Sequence, residues 1–590
     1  MPAGEPAPIH SRAVWAVLAV AAVLFTIPIA KPLYLDNMDF PAVAKATAET
    51  GLPLYYRGEE SPRHSGLYHP PLYIYVLAAW FRLWGFGAVQ ARLLGFVLLA
   101  AQGWLVLFGL RLLFGAGRAR EAAPWFWALF LLSPFALQGA AVLDIDTAVY
   151  GPLLTAMLLA ALRLRWLDGS PREQAPRARD YALLSAAAAA ALWAKLTTVL
   201  AFIPAAALLA AGGRDGARIF ARALGALAAG MAVFLSSYFA FGWLTGLDVL
   251  YTFRFTFMSL QQRVHEPGLM EKVLAHARTF RDMAIWQLMW SGLLPWAGAL
   301  AAAGWAWWTA WRRKDRRWRD AAVILGLALF VTAAYCAILY TYGRSPFKYV
   351  FVVWGVVAAC LSLAAAAAAE RIRPQSAAAR KAGAVLLAVV LACCFAAGAR
   401  LLRDRMILEG QIHPEDRWAL LLPALAGTAG VLLWRYRPGP WLLMAGLLSH
   451  TGLMTGVALA MARAPYPTTY DYGQQGFERT ACFLSENTAP EDRIISMKDI
   501  GFHIGRRYFE NYGYVYSGER GADAMRAILD SGRARFAVFT EGNGPDDLRF
   551  NPPLQQVIRD SCTLTRSYGH YRIYDCAKAR RAQERPAVSP

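Results

Sequence analysis

The sequence is poor in charge: only 17% of its 590 residues are Asp, Glu, Lys or Arg, against about a quarter in an ordinary soluble domain. With 57% of the residues hydrophobic, that shortage argues against a soluble globular chain. Acidic residues are the scarcer sign, 40 against 60 Lys and Arg, for a formal net charge of +20. An excess of cations can serve nucleic acid, but no basic-aromatic surface or nucleic-acid motif accompanies it. The cations sit in short loops between apolar runs, where they set topology and meet anionic lipid headgroups. Cysteines number seven, with no CxxC and no Cys/His cluster, which excludes a zinc-ribbon type of site. Cys336, Cys360, Cys393 and Cys394 fall in apolar runs and read as packing residues. Cys482, Cys562 and Cys576 fall in the C-terminal part, where Cys562–Cys576 is a candidate disulfide if that part lies outside the cytoplasm. A small-residue cleavage site after the first apolar run is also lacking, so that run reads as a retained anchor rather than a signal peptide.

What the chain has instead is long hydrophobic runs. They fall at 14–30, 89–111, 122–140, 147–164, 181–195, 197–212, 219–242, 286–311, 320–341, 349–369, 382–399, 418–434 and 441–461. Each is long enough, or nearly so, to cross a hydrocarbon core of about 30 Å as a helix. The expected fold is an α-helical polytopic membrane protein of about thirteen transmembrane helices, with a C-terminal α/β domain. Residues 1–462 form the membrane module, with long outer loops at 31–88 and 243–285; residues 463–578 form the α/β domain, and 579–590 a disordered tail. Arg and Lys concentrate in loops such as 163–179, 312–319 and 371–381, while the turn at 141–146 has none. The positive-inside rule then puts the N-terminus in the cytoplasm and the C-terminal domain outside. The location is a multi-pass inner or plasma membrane protein. Inside the first outer loop, 40–50 reads as a helix ended by Gly51. In the C-terminal part, 493–496, 534–539 and 571–575 read as strands, and 475–486 and 520–531 as helices.

Polar residues that could do chemistry gather at the outer ends of the runs. Asp36 and Asp39 lie in YLDNMDF, Asp144 and Asp146 in VLDIDTAVYGP. Any one of them also suits helix capping, and Asp146 before Thr147 fits an N-cap well. Two acidic pairs on one face point beyond capping. Cations fall on the same face: His69 in LYHPPLYIY, Lys195 in LWAKLTT, Arg263 in the second long loop, and Arg344 and Lys348 in YGRSPFKY. A lone Lys in an apolar hairpin usually snorkels to the interface. Several cations opposite several carboxylates suit a substrate that carries a phosphate and a nucleophile to be deprotonated. Tyr68, Tyr73 and Tyr75 are candidates for stacking on sugar, with interfacial anchoring as the commoner role of such residues.

In order and spacing, the segments LDNMDFPAVAKATAETG, LYHPPLYIYVLAAWFRLWG and VQARLLG resemble the GT-C glycosyltransferases. The nearest likeness is to the branch of protein O-mannosyltransferases and bacterial lipid A aminoarabinose transferases. The resemblance covers roughly residues 10–370. It implies an inverting transfer of a sugar from a polyprenyl-phosphate donor to a hydroxyl on a protein, glycolipid or cell-envelope polymer. Asp36 matches the family's catalytic base, and Asp144 or Asp146, with Asp146 favoured, the second outer acidic position. His69 matches the donor-phosphate contact; Lys195, Arg263 and Arg344 match cationic positions near it, and Lys348 lies in the same turn as Arg344. Asn37 stands where the family usually has Glu; Asn keeps an acceptor atom but not the charge, and Asp39 is the acidic residue at hand to replace it. No cofactor or divalent metal is expected, since no nucleotide diphosphate takes part. A polytopic transporter or flippase is the alternative; it predicts ionisable residues at the bilayer midplane and internal repeats.

Overall fold

Apolar runs fold here as helices, the form that satisfies its own backbone where water is absent. The computed structural model describes residues 9–262 apart from 32, 34–35, 55–65, 142–145, 168, 173 and 211–215, scattered positions from 312 to 327, and 347–576 apart from 373–376, 402–416, 464–475, 516–517 and 542–546. The chain divides into two units: 1–30, 68–73 and 92–469 form the first, and 31–67, 74–91 and 470–590 the second. The segments 31–67 and 74–91, expected as part of an outer loop of the membrane module, thus group with the C-terminal part.

Among the described residues, five helices are long and apolar enough to cross a bilayer: Ala88–Leu131, Ala217–Thr245, Trp354–Arg371, Lys381–Ala399 and Pro438–Ala460. Shorter helices, among them Ile9–Thr26, Gly151–Arg163, Ala178–Ala194, Thr198–Ala210 and Arg417–Leu432, occupy other expected runs. The run at 286–311, and 320–341 apart from a few positions, lie outside the described residues. One helix start differs from expectation. The helix from Ala88 continues to Leu131 through the polar stretch expected to break it, and only Gly115 (φ 80, ψ 167) leaves helical geometry. The reason is local: AGRAREAA after Gly115 is made largely of strong helix formers, so the backbone turns only where glycine permits a positive φ. The next helix is Pro134–Ala141. A buried aromatic group of Phe126, Trp127, Phe130, Phe135 and Trp354 packs within this unit. The Pro438–Arg463 and Ala377–Leu401 helices approach so closely that a Cβ on Gly456 would lie 2.1 Å from the Phe395 carbonyl oxygen, the small-residue contact common between membrane helices.

The basic segment 163–179 carries a short hairpin, β1 (Trp166–Leu167) antiparallel to β2 (Ser170–Pro171), with Gly169 at φ +83. The Asp168-Gly169 dipeptide is its sequence signal. Asp180 closes this region just before an apolar run. Its carboxylate is buried, accepts from the Arg177 amide at 2.9 Å and pairs with Arg172 at 2.9 Å. Burial alone would raise its pKa, but the Arg177 amide, Arg172 and Arg163 outweigh that and hold it below the ordinary 3.8. A depressed carboxylate stabilises the fold fully above the unfolded value and loses that contribution as pH falls through the folded one. Asp180→Asn is therefore expected to lower thermal stability in detergent by about 2–3 kcal/mol at pH 7. The gap to wild type should shrink once pH drops below 3.8; an equal gap at both extremes would contradict this account.

In the second unit, strands β3 (Arg493–Ser496), β4 (Arg507–Glu510), β5 (Phe536–Thr540), β6 (Thr563–Tyr568) and β7 (Tyr571–Asp575) form one sheet in the order β4-β3-β5-β7-β6. β3 is parallel to β4 and β5, while β7 is antiparallel to β5 and β6. The helices Gly518–Asp530 and Pro552–Ser561 contribute Met525, Leu529, Leu554 and Ile558 to a core with Ile495, Phe509 and Phe539. The expected strands at 493–496, 534–539 and 571–575 and helices at 475–486 and 520–531 are present; β4, β6 and the Pro552–Ser561 helix are additional. β6 gives no apolar alternation to read, because all but its last residue are exposed. The expected Cys562–Cys576 disulfide is formed and joins the start of β6 to the end of β7. Its sequence separation is 14, a loop worth about 3 kcal/mol through the unfolded chain. Cys562→Ser with Cys576→Ser should lower the unfolding temperature of the C-terminal unit, and reductant should do the same to wild type alone.

Candidate active site

The first unit carries one acidic position and one cation in the same neighbourhood. The Pro134–Ala141 helix ends just before the VLDID segment, and the chain resumes at Asp146 as a π-helical turn, Asp146–Tyr150. Such turns are rare and often occur at functional sites. The turn runs directly into the Gly151–Arg163 helix, so Asp146 is the first residue of a wound segment. Lys195 follows the last residue of the Ala178–Ala194 helix in extended geometry (φ −155, ψ 131). Thr198 fixes this break by donating its hydroxyl to the Ala191 and Lys195 carbonyls at 2.9 and 2.7 Å. The result is a lysine turned inward, 6% exposed, with its ammonium 5.9 Å from the ring centre of the fully buried Tyr150. Lys195 thus sits over the turn that begins at Asp146.

Tyr68 and His69, also in the first unit, are half-buried. Tyr68 packs edge-on against Phe255 at 5.0 Å and Tyr251 at 6.1 Å between centroids. Tyr73 is only 1% exposed, so its ring belongs to the packed interior and offers no open face to a sugar. Asp144, Arg263 and Arg344 lie outside the described residues. Lys348 falls in the Phe347–Arg371 helix.

Asp36 and Asp39 belong to the second unit, in the helix Asp36–Thr50. That helix starts four residues before the expected 40–50, with Asp36 as its first residue, and ends at Gly51, whose φ of +79 suits a C-terminal glycine. Asp39 is ion-paired with Lys498, which also lies 4.0 Å from the Glu510 carboxylate. Further along, the Lys45 ammonium lies 5.8 Å from the Phe86 ring centre and 5.7 Å from that of Phe502. Burial holds its pKa below the usual lysine value, against the opposing pull of Glu49. Tyr75 donates its hydroxyl to the Gly51 carbonyl at 3.0 Å. Arg82 donates to the Ala48 carbonyl at 2.6 Å. Both are structural clamps on the end of this helix.

Two participants carried no functional signal of their own in the sequence. Arg92, seen there only within VQARLLG, is wholly buried. Its guanidinium donates to the carbonyls of Pro28 at 2.9 Å, Ile29 at 3.1 Å and Ala141 at 3.3 Å. One side chain therefore holds the chain ends that lead into the two acidic segments. The other participant is the Lys498–Ile504 helix, whose contacts with the Asp36 segment link positions more than 450 residues apart. Among the described residues no group of three or more His, Cys, Asp or Glu is arranged to hold a metal ion.

No protein-family model and no curated protein sequence matches the chain. Solved structures do. The crystal structure of ArnT from Cupriavidus metallidurans bound to undecaprenyl phosphate aligns with a TM-score of 0.60 at 15% identity, over 95% of this chain and 97% of that one. The same protein in the apo state aligns at 0.58 and 16% identity, with the same coverage. The chain therefore shares the fold of that ArnT structure. The likeness spans almost the whole chain, the C-terminal part included. The oligosaccharyltransferase of Archaeoglobus fulgidus in the apo form is a more distant match, 13% identical with a TM-score of 0.41 over 89% of this chain.

Proposed function

We propose that this protein is an integral-membrane glycosyltransferase that moves a sugar from a polyprenyl-phosphate donor to a hydroxyl acceptor on the extracytoplasmic side, with inversion at the anomeric carbon. The observation that carries the reading is the GT-C fold over nearly the full length, shared with an ArnT structure that holds undecaprenyl phosphate. The acidic and cationic outer segments support it. Such a donor partitions into the bilayer, which suits a polytopic protein with its chemistry at a membrane surface.

In this mechanism the acceptor oxygen attacks the anomeric carbon as the bond from that carbon to the phosphate oxygen breaks. The electron pair leaves with the polyprenyl phosphate, and the hydroxyl proton passes to the Asp36 carboxylate. Lys195 and His69, with Arg263, Arg344 and Lys348, balance the charge that develops on the phosphate. Asp146 or Asp144 orients the acceptor or the sugar, and Tyr68 offers its ring to a sugar face. Lys195 suits its role because it is held inward before any substrate arrives. A phosphate-monoester leaving group of this kind needs no divalent metal. The C-terminal unit contains a polar recess of about 550 Å³ lined by Glu541, Arg549, Arg559, Arg572 and Tyr574. Ion pairs Arg549–Asp547 and Arg572–Glu541, each at 2.6 Å, fix its polar groups, which fits a hydroxyl-rich acceptor.

The test is to incubate purified protein with a panel of polyprenyl-phosphate sugars and to follow sugar release or transfer for wild type and Asp36→Asn. Transfer by wild type that the variant loses supports the reading; equal transfer by both removes Asp36 from the role of base, and no transfer from any donor removes the reading itself.

A further inference from the structure

The segment around Asp36 is held from both sides by one short helix of the C-terminal part. Leu33 lies three residues before Asp36, and its amide N–H donates to Nε2 of His503 at 2.9 Å. Asp39 lies three residues after Asp36 and is ion-paired with Lys498. Both partners belong to the helix Lys498–Ile504. Phe502 of the same helix faces Lys45 at 5.7 Å and Phe81 at 6.4 Å. Three residues of a seven-residue helix thus meet the Asp36 region at successive points along it.

The ion pair is also part of a larger arrangement. Lys498 is only 14% exposed and stands between Asp39 and Glu510, with Glu510 5% exposed on β4. Without the ammonium, the buried Glu510 carboxylate and the partly exposed Asp39 carboxylate lose the cation between them and repel, which favours moving the first turn of the Asp36–Thr50 helix away from the sheet. The rest of the helix is well buried and clamped at its C-terminal end, but Pro41 has no N–H to give the carbonyl four residues earlier, so the first turn has fewer hydrogen bonds of its own. Its N-terminal turn is therefore the part that outside partners help most.

We infer that the Lys498–Ile504 helix is the positioning element for Asp36, with Lys498 and His503 as positioning residues that fix the backbone on either side of the proposed base. The inference rests on the role given to Asp36 above, and it assigns to the C-terminal part a duty in the chemical step. Neither residue needs to touch substrate. Their effect is to keep the carboxylate-bearing turn in one place, where a displacement of about 1 Å costs about 10²-fold in rate.

The experiment uses the full-length protein in lipid nanodiscs and compares wild type with Lys498→Met, Lys498→Arg and His503→Phe. Amide hydrogen exchange of peptides covering 33–50 is read first, with the melting temperature as a control for global folding. Lys498→Met and His503→Phe should speed exchange in that stretch while exchange across β5 and β7 stays as in wild type; Lys498→Arg should resemble wild type. Sugar transfer is read second: Lys498→Met should lower kcat by about 10-fold or more with the donor KM nearly unchanged, and Lys498→Arg should recover most of it. Unchanged exchange in 33–50 overturns the inference whatever the protein's substrate is. Faster exchange with unchanged kcat in an active enzyme overturns the positioning role. An inactive wild type overturns the proposed function instead, and the exchange arm still decides whether the helix holds the Asp36 turn.

Discussion

Asp36→Asn is expected to reduce sugar transfer by about 10²–10⁴-fold, the usual worth of a positioned general base. The substitution keeps the size and the hydrogen-bonding outline of the side chain, and Asn is as good as Asp at the start of a helix. Asp36 is the first residue of its helix, so the variant should fold and melt like wild type. Donor binding should also persist, since the phosphate contacts in this reading are cationic residues elsewhere in the chain. Loss of kcat with an unchanged donor KM is therefore the signature to look for. A parallel loss in donor affinity would make Asp36 a binding group instead. Asp39→Asn is a useful contrast: its carboxylate is already ion-paired with Lys498, so its effect should appear as a looser turn, with a smaller change in rate.

The membrane architecture was legible because bilayer thickness imposes one length on every spanning helix, and that length is visible in a sequence as an apolar run. The strands RIIS and YRIYD and the Cys562–Cys576 pair were legible for similar local reasons. The elements that sequence reasoning missed lacked a local signature. The helix Lys498–Ile504 has seven residues, too few for a periodic pattern to declare itself. Its importance lies in contacts to Leu33 and Asp39, which no local window contains. Lys195 could be chosen as a candidate, but its inward orientation depends on the Thr198 hydroxyl closing the break after Ala194. Tyr73 shows the opposite failure: an aromatic residue beside a candidate motif reads as a ligand contact, and its near-complete burial makes it core. Arg92 reads as one more cation at a span boundary until its three carbonyl partners are seen.

Those partners lead to the second large effect. Arg92→Met should destabilise the membrane unit by about 3 kcal/mol or more, because the carbonyls of Pro28, Ile29 and Ala141 lose a charged donor in a setting where water does not replace it. Methionine fills much of the same volume, so the loss reports on hydrogen bonding more than on a cavity. Arg92→Lys should recover only part of it. An ammonium is a compact point charge, whereas the guanidinium fork reaches carbonyls on two separate chain segments at once. Transfer activity should fall further than stability alone explains. Ile29 lies seven residues before Asp36, and Ala141 lies five before Asp146, so releasing these ends loosens the entry to both acidic segments. Thermal unfolding in detergent, followed alongside the rate at a temperature where every variant is folded, separates the two effects. A wild-type melting temperature for Arg92→Met would show that its hydrogen bonds to these carbonyls do not hold the segments, and the link from this buried cation to the proposed site would fall with it.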